Sequence, residues 1–182
     1  MAGNLVIGTA LLVASRMLEA NCSSIVGVEL LPPLHHAALS ALASLRALLE
    51  TTEVRASLPL PRVLPHCAFA CDDLAAHDIS DADVCYLCST AFTPSLLLRF
   101  VGHAAQQLKP GSRVITLTHP LVHPAFELEA CIPSCQLSWG LETAYVHRKH
   151  DAAWEDGAGQ LLAKVLATDG QALTEWCFSF TP

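Results

Sequence analysis

The stretch Ile25-Val26-Gly27-Val28-Glu29-Leu30-Leu31-Pro32-Pro33-Leu34-His35 decides the fold, because an apolar run of strand length ends in a lone carboxylate and passes through two prolines into a helix. The helical pattern beyond it is the stripe Leu34, Ala38, Leu42, Leu45 and Leu49, which keeps one face apolar and closes at the polar Thr51-Thr52-Glu53. A second helix opens at Thr93 as N-cap with Pro94 as its first residue, runs through Leu97, Val101, Ala104 and Leu108, and stops at Lys109-Pro110-Gly111. Apolar runs of strand length alternate with these helices: Ser24 to Leu30, Val63 to Ala70, Ala82 to Cys88 and Arg113 to Thr118. The alternation predicts an α/β, Rossmann-like doubly wound fold with a mostly parallel sheet and helices on both faces. Past Pro120 the rhythm changes. Gln136 to Val146 reads as strand material broken at Gly140, followed by a helix over Gln160 to Ala167 and a short strand over Glu175 to Phe180. No internal repeat or dividing linker is visible, so one domain over residues 1–182 is expected.

Composition narrows the function. The 182 residues are 52% hydrophobic and 15% charged, which excludes an extended disordered chain and supplies one real core. The longest apolar run, Leu5 to Ala14, is broken by Gly8 and Thr9 and ends at Ser15 and Arg16, so no membrane-spanning helix is expected. No basic segment precedes that run and its pattern continues through Met17 and Leu18, so it reads as a first helix rather than a secretion signal. A net charge of −7 repels a polyphosphate, and free nucleic acid is not an expected partner. The eight cysteines sit within apolar runs such as Val84-Cys85-Tyr86-Leu87-Cys88, which suits buried thiols in an intracellular protein. Zinc is not expected: Cys85 and Cys88 have the spacing of a ligand pair, but a three-residue offset on a strand sends two side chains to opposite faces.

Ligands of doubly wound sheets bind where the strands end. Glu29 stands at the first such end, and a lone carboxylate there suits the two hydroxyls of a ribose; the alternative is an acid facing water. Asp72 and Asp73 end the next strand, where a carboxylate suits an exocyclic amine such as that of adenine, or simply caps a turn. The third end opens into Ser89-Thr90-Ala91-Phe92, either a pocket lining or a strand end with Phe92 as a staple on the following helix. Together the three ends suggest an adenosine-containing cofactor. A nucleoside triphosphate is disfavoured, since no phosphate-binding glycine-lysine loop occurs and lysine is confined to Lys109, Lys149 and Lys164.

Three motifs carry a family resemblance: Val26-Gly27-Val28-Glu29-Leu30-Leu31-Pro32-Pro33-Leu34-His35, Ser80-Asp81-Ala82-Asp83-Val84-Cys85-Tyr86, and Leu108-Lys109-Pro110-Gly111-Ser112-Arg113-Val114-Ile115. With the Ser-Trp-Gly-x-x-x-Ala-Tyr-Val-His pattern of Ser138 to His147, the chain resembles the class I S-adenosylmethionine-dependent methyltransferases, and among them the disruptor-of-telomeric-silencing type of histone-lysine methyltransferase. The resemblance covers Gly3 to Lys149 and leaves 150–182 as a divergent extension. It implies S-adenosylmethionine as cofactor and S-adenosylhomocysteine as product. By the same resemblance Glu29 takes the ribose, Asp72 or Asp73 the adenine amine, and Gly3 is the last glycine of the cofactor loop. Ser89 and Phe92 then line the cofactor and target-lysine side of the pocket, and Trp139 and Tyr145 form the walls of the lysine channel. Aromatic walls favour the neutral amine that attacks a sulfonium methyl.

The family's first strand and most of its glycine loop have no counterpart after Met1, so the resemblance implies an N-terminally truncated core whose flanking strands lack a neighbour. The family's Asn-rich loop is replaced by Cys88-Ser89-Thr90, which leaves the acceptor open. The expected activity is methyl transfer to a protein lysine, with a histone or nucleosome as partner met by the basic pair Arg148-Lys149 and a nuclear address following from that partner. The alternatives are a non-catalytic remnant that binds a protein through the apolar surface left by the missing strand, and a small-molecule methyltransferase.

Overall fold

The computed structural model describes residues 24–50, 66–137 and 139–150. The chain divides into two compact units, Met1–His77 and Asp78–Pro182. The expected first helix at Leu5 to Ala14, the helix at Gln160 to Ala167, the strand at Glu175 to Phe180 and the candidate Gly3 lie outside the described residues.

The first unit is a strand-helix-strand crossover. Strand β1 (Ser24–Glu29) leads into α1 (Pro32–Glu50) and returns as β2 (His66–Cys71), parallel to β1 with Glu29 opposite Cys71. Pro32 and Pro33 occupy the first helical turn, where the missing amide donors leave no helical bond unmade. The next two amides, of Leu34 and His35, bond the Leu31 carbonyl at 3.0 Å each. Gly27 lies opposite Phe69 in the register, and a Cβ there would sit 2.5 Å from two atoms of the Phe69 ring. The bare backbone at Gly27 is therefore what lets the ring lie across the strand.

The second unit is built on β3 (Val84–Leu87), α2 (Pro94–Gln107) and β4 (Arg113–Leu117), a second parallel crossover, followed by the antiparallel hairpin β5 (Phe126–Leu137) and β6 (Gly140–Lys149). The sheet order is β3-β4-β6-β5. Helix α2 starts as its sequence dictates, with the Thr93 hydroxyl accepting from the Leu96 amide and Pro94 in the first turn. It ends before Lys109-Pro110-Gly111-Ser112, a tight turn closed by a Ser112 to Lys109 backbone bond and needing glycine at φ 81°. Phe100, Val101, Ala104, Leu87, Val114 and Leu117 form the core of this unit. Among the described residues β1 pairs only with β2, and β3 only with β4.

Two polar side chains are drawn into the second unit. Lys149, expected on a basic surface patch, is 8% exposed, and its ammonium donates to the Leu108 carbonyl at the C-terminal end of α2. That carbonyl has no intrahelical donor, and a cation there also meets the negative end of the helix dipole. The basic pair is thereby reduced to Arg148, which faces Glu127 at 3.9 Å. His147 is 1% exposed, accepts from the Leu121 amide at 3.0 Å through Nε2, and has no hydrogen-bond partner at Nδ1 among the described residues.

Two outcomes follow. Gly27→Val should lower stability by roughly 1–3 kcal/mol through overpacking against Phe69, read as a fall in Tm, whereas a melt matching the wild type would refute the close approach. Burial also holds the His147 and His123 imidazoles below their ordinary value of 6.5. The unfolded chain then takes up protons first on acidification, so stability is fully present above pH about 6.5 and is lost as the pH falls toward the lowered folded values. Thermal melts from neutral to mildly acidic pH should show this decline, and His147→Gln, which keeps an acceptor for Leu121, should flatten it.

Candidate functional site

In the first unit the sequence-predicted acids come together. Glu29 closes β1 and Asp72 follows β2 directly, and the Asp72 amide bonds the Glu29 carbonyl at 3.1 Å. Each carboxylate is held by the turn that follows its strand. Glu29 Oε1 accepts from the Leu31 amide at 2.9 Å, while Oε2 has no partner among the described residues. Asp72 accepts from the Asp73 amide at 2.8 Å and from His77 Nδ1 at 2.9 Å, and the His77 bond, followed by the backbone bond, holds its carboxyl below the usual carboxylate range. Asp73 accepts from the Ala75 amide at 2.9 Å, which makes it a turn-forming side chain. Asp72 is therefore the better placed of the two neighbours for a donor from a ligand.

In the second unit Ser89 has a different position from the one expected. It is 0% exposed, its hydroxyl donating to the Leu117 carbonyl at 2.7 Å and accepting from the Leu117 amide at 3.0 Å. The side chain joins the 3-10 turn Ser89–Ala91 after β3 to the last residue of β4. A hydroxyl so engaged fastens the end of the sheet. Phe92, just past that turn, is half-buried and extended, and its amide returns to the Ser89 carbonyl at 2.9 Å.

Immediately after β4, Thr118 has φ 69°, a left-handed conformation that costs a β-branched residue about 1–3 kcal/mol. Its amide bonds the Thr143 carbonyl at 2.9 Å. Its hydroxyl lies 2.8 Å from Glu142 Oε2 and 3.2 Å from the Thr90 hydroxyl. Thr118 has a single hydroxyl proton, which it can donate to Glu142 or to Thr90, and the carboxylate oxygen is the nearer acceptor. Thr118 and Glu142 border a cavity of about 250 Å³ that Pro133, Ser134, Leu141 and Thr143 also line. Glu142 and Thr118 were not singled out by the sequence. The available signal was an acid alone within the otherwise uncharged run Leu137 to His147.

The expected channel aromatics are placed differently from each other. Trp139 lies in the turn of the β5–β6 hairpin and is 40% exposed. Tyr145 is half-buried in β6, opposite Thr116 and Cys131, with its ring centroid 6.5 Å from that of His147. Strand alternation sends Tyr145 and Glu142 to opposite faces of β6. Among the described residues no three His, Cys, Asp or Glu side chains gather around one point. Burial pushes the Cys85 thiol up to about 11, so it holds its proton at neutral pH.

No protein-family model matches the chain, and no curated protein matches it. Solved structures do. A candidate methylase from Haemophilus influenzae superposes with a TM-score of 0.51 over 82% of this chain and 83% of that one, at 12% identity. An S-adenosylmethionine-dependent methyltransferase from Methanosarcina mazei covers 70% of this chain and 82% of its own at 0.49 and 12% identity. An RNA methyltransferase from Salinibacter ruber, solved with S-adenosylhomocysteine, covers 72% and 69% at 0.48 and 22% identity. At such identities the likeness is one of fold. The chain has a Rossmann-like fold, which it shares with the Haemophilus influenzae structure.

The position of Ser89 sets a prediction. Ser89→Ala leaves both polar atoms of Leu117 without their partner and should lower stability by about 1–3 kcal/mol. Denaturant unfolding measures it, and a variant as stable as the wild type would show that the tie contributes nothing.

Proposed function

We propose that this chain is an S-adenosylmethionine-dependent methyltransferase acting on the side-chain amine of a protein lysine. The carrying observation is the pairing of Glu29 and Asp72 at the carboxyl ends of two adjacent parallel strands, on the fold of the methyltransferases. The open Oε2 of Glu29 suits one ribose hydroxyl, and the fixed Oε1 keeps the carboxylate from rotating away. Asp72, kept ionised by His77, is an acceptor suited to the adenine amine. Bound to these residues, the cofactor supplies a methyl group on a sulfonium. The acids need do no proton chemistry; they bind and orient.

The lysine acceptor rests on the sequence resemblance at Ser138 to His147 and on the aromatics Trp139 and Tyr145 within it. A histone is the partner that resemblance suggests. With Lys149 engaged at the end of α2, contact with nucleosomal DNA would depend on cations other than the expected pair.

Calorimetric titration with S-adenosylhomocysteine tests the cofactor assignment. The full chain should bind saturably, and Glu29→Ala and Asp72→Ala should each weaken binding by about tenfold or more, the scale of a lost charge-assisted hydrogen bond. Binding unaltered in both variants would sink the assignment. Transfer of label from the cofactor to histones, nucleosomes or free amines, offered side by side, identifies the acceptor.

A further inference from the structure

The cavity beside β4 and β6 has an electrostatic character that the cofactor reading does not use. Glu142 is partly buried, and one of its oxygens is fixed by Thr118. Among the described residues the other oxygen has no hydrogen-bond partner, and no Lys, Arg or His forms an ion pair with this carboxylate. The neighbouring thiol of Cys88 is pushed up, by burial first and by the charge of Glu142 second, and so adds no second negative charge at neutral pH. The Thr118 hydroxyl orients the carboxylate, and its reach depends on the left-handed backbone at Thr118. A strained β-branched residue that holds a lone carboxylate at the rim of a cavity is an arrangement built for a ligand rather than for packing.

We propose that Glu142, positioned by Thr118, is the binding site for the ammonium group of a primary amine. The cavity of about 250 Å³ is smaller than the roughly 300–1,000 Å³ of pockets for drug-sized ligands and is of a size for the end of an alkylamine chain. Leu141 and Pro133 offer apolar walls for methylene groups, and the free Glu142 oxygen accepts from the ammonium. A phosphate-rich ligand would meet an uncompensated negative charge here and be repelled. The ammonium-binding role of Glu142 rests on this cavity and stands apart from the methyltransferase reading above.

The test separates the two. Nα-acetyl-lysine methylamide and its Nε-acetylated, uncharged counterpart are titrated into the full chain by NMR or calorimetry, without cofactor, beside a titration with S-adenosylhomocysteine. The lysine probe should bind and the uncharged probe should not. Glu142→Gln should weaken the lysine probe by tenfold or more and leave S-adenosylhomocysteine binding unchanged. Thr118→Val, which keeps the side-chain shape and removes the hydroxyl, should weaken the lysine probe severalfold and serves if Glu142→Gln fails to fold. Equal binding of the two probes, or a lysine affinity indifferent to both substitutions, overturns the amine site. Failure of the wild type to bind S-adenosylhomocysteine while amine binding persists overturns the methyltransferase reading alone. A butylammonium probe binding as well as a lysine-bearing peptide assigns the site to a free amine, and a tighter peptide assigns it to a protein side chain.

Discussion

The hydroxyl of Ser89 is the interaction on which the working end of the second unit depends. It makes two bonds to the backbone of Leu117, and with them it fixes how the chain leaves β3 relative to how it leaves β4. Parallel strands diverge past their last ladder bond, since nothing in the ladder constrains the residues beyond it. Here a fully buried side chain supplies that constraint. Thr118 is the next residue along, and its left-handed turn brings its hydroxyl to Glu142 on the neighbouring antiparallel strand. Neither the strain at Thr118 nor its reach to Glu142 would be sustained if the preceding residue were free to move.

The same unit handles charge by giving buried groups to backbone that lacks partners. Lys149 serves the carbonyl of Leu108 where α2 runs out of donors, and His147 serves the amide of Leu121 in the segment between β4 and β5. A buried charge without such a partner would be severely destabilising, so these side chains mark where the fold had orphaned backbone groups to satisfy. The surface ion pairs are of another kind. Arg113 reaches Glu129 through two bonds of 2.6 and 2.8 Å, and Glu129 is the unpaired residue of the irregularity between Leu128 and Ala130. The bulge re-aims the acid toward β4, as bulges do.

The elements most legible in the sequence were those with strong local chemistry. The two crossovers could be read because their helices carry a regular apolar stripe and open with proline or a threonine cap, which are properties of single segments. Glu29 and Asp72 could be read because a parallel strand is an apolar run and the first acid after it stands out. Strand β5 was hidden from Phe126 to Cys135, since its mostly exposed side chains, Pro133 and two register shifts erase the alternation that marks a strand. Ser89, Lys149 and Glu142 were illegible for a further reason. What each does is set by a partner 28, 41 or 24 residues away, and residue type alone does not tell a serine that ties two strands from one that lines a pocket.

The two kinds of carboxylate in this chain differ in how they are held, and the difference separates their chemistry. Glu29, Asp72 and Asp73 stand where the chain leaves a parallel strand, and the turns that follow offer amides within two residues: Leu31, Asp73 and Ala75. An amide can only donate, so it holds each carboxylate as an acceptor, and these groups are suited to accepting further hydrogen bonds from neutral hydroxyls and amines. Glu142 stands near the start of an antiparallel strand, where the ladder engages the backbone, and a hydroxyl holds it instead. A hydroxyl can turn its proton elsewhere and accept in place of donating. That freedom gives Glu142 an adjustable environment next to an open oxygen, a property matched to a ligand whose own charge must enter the site.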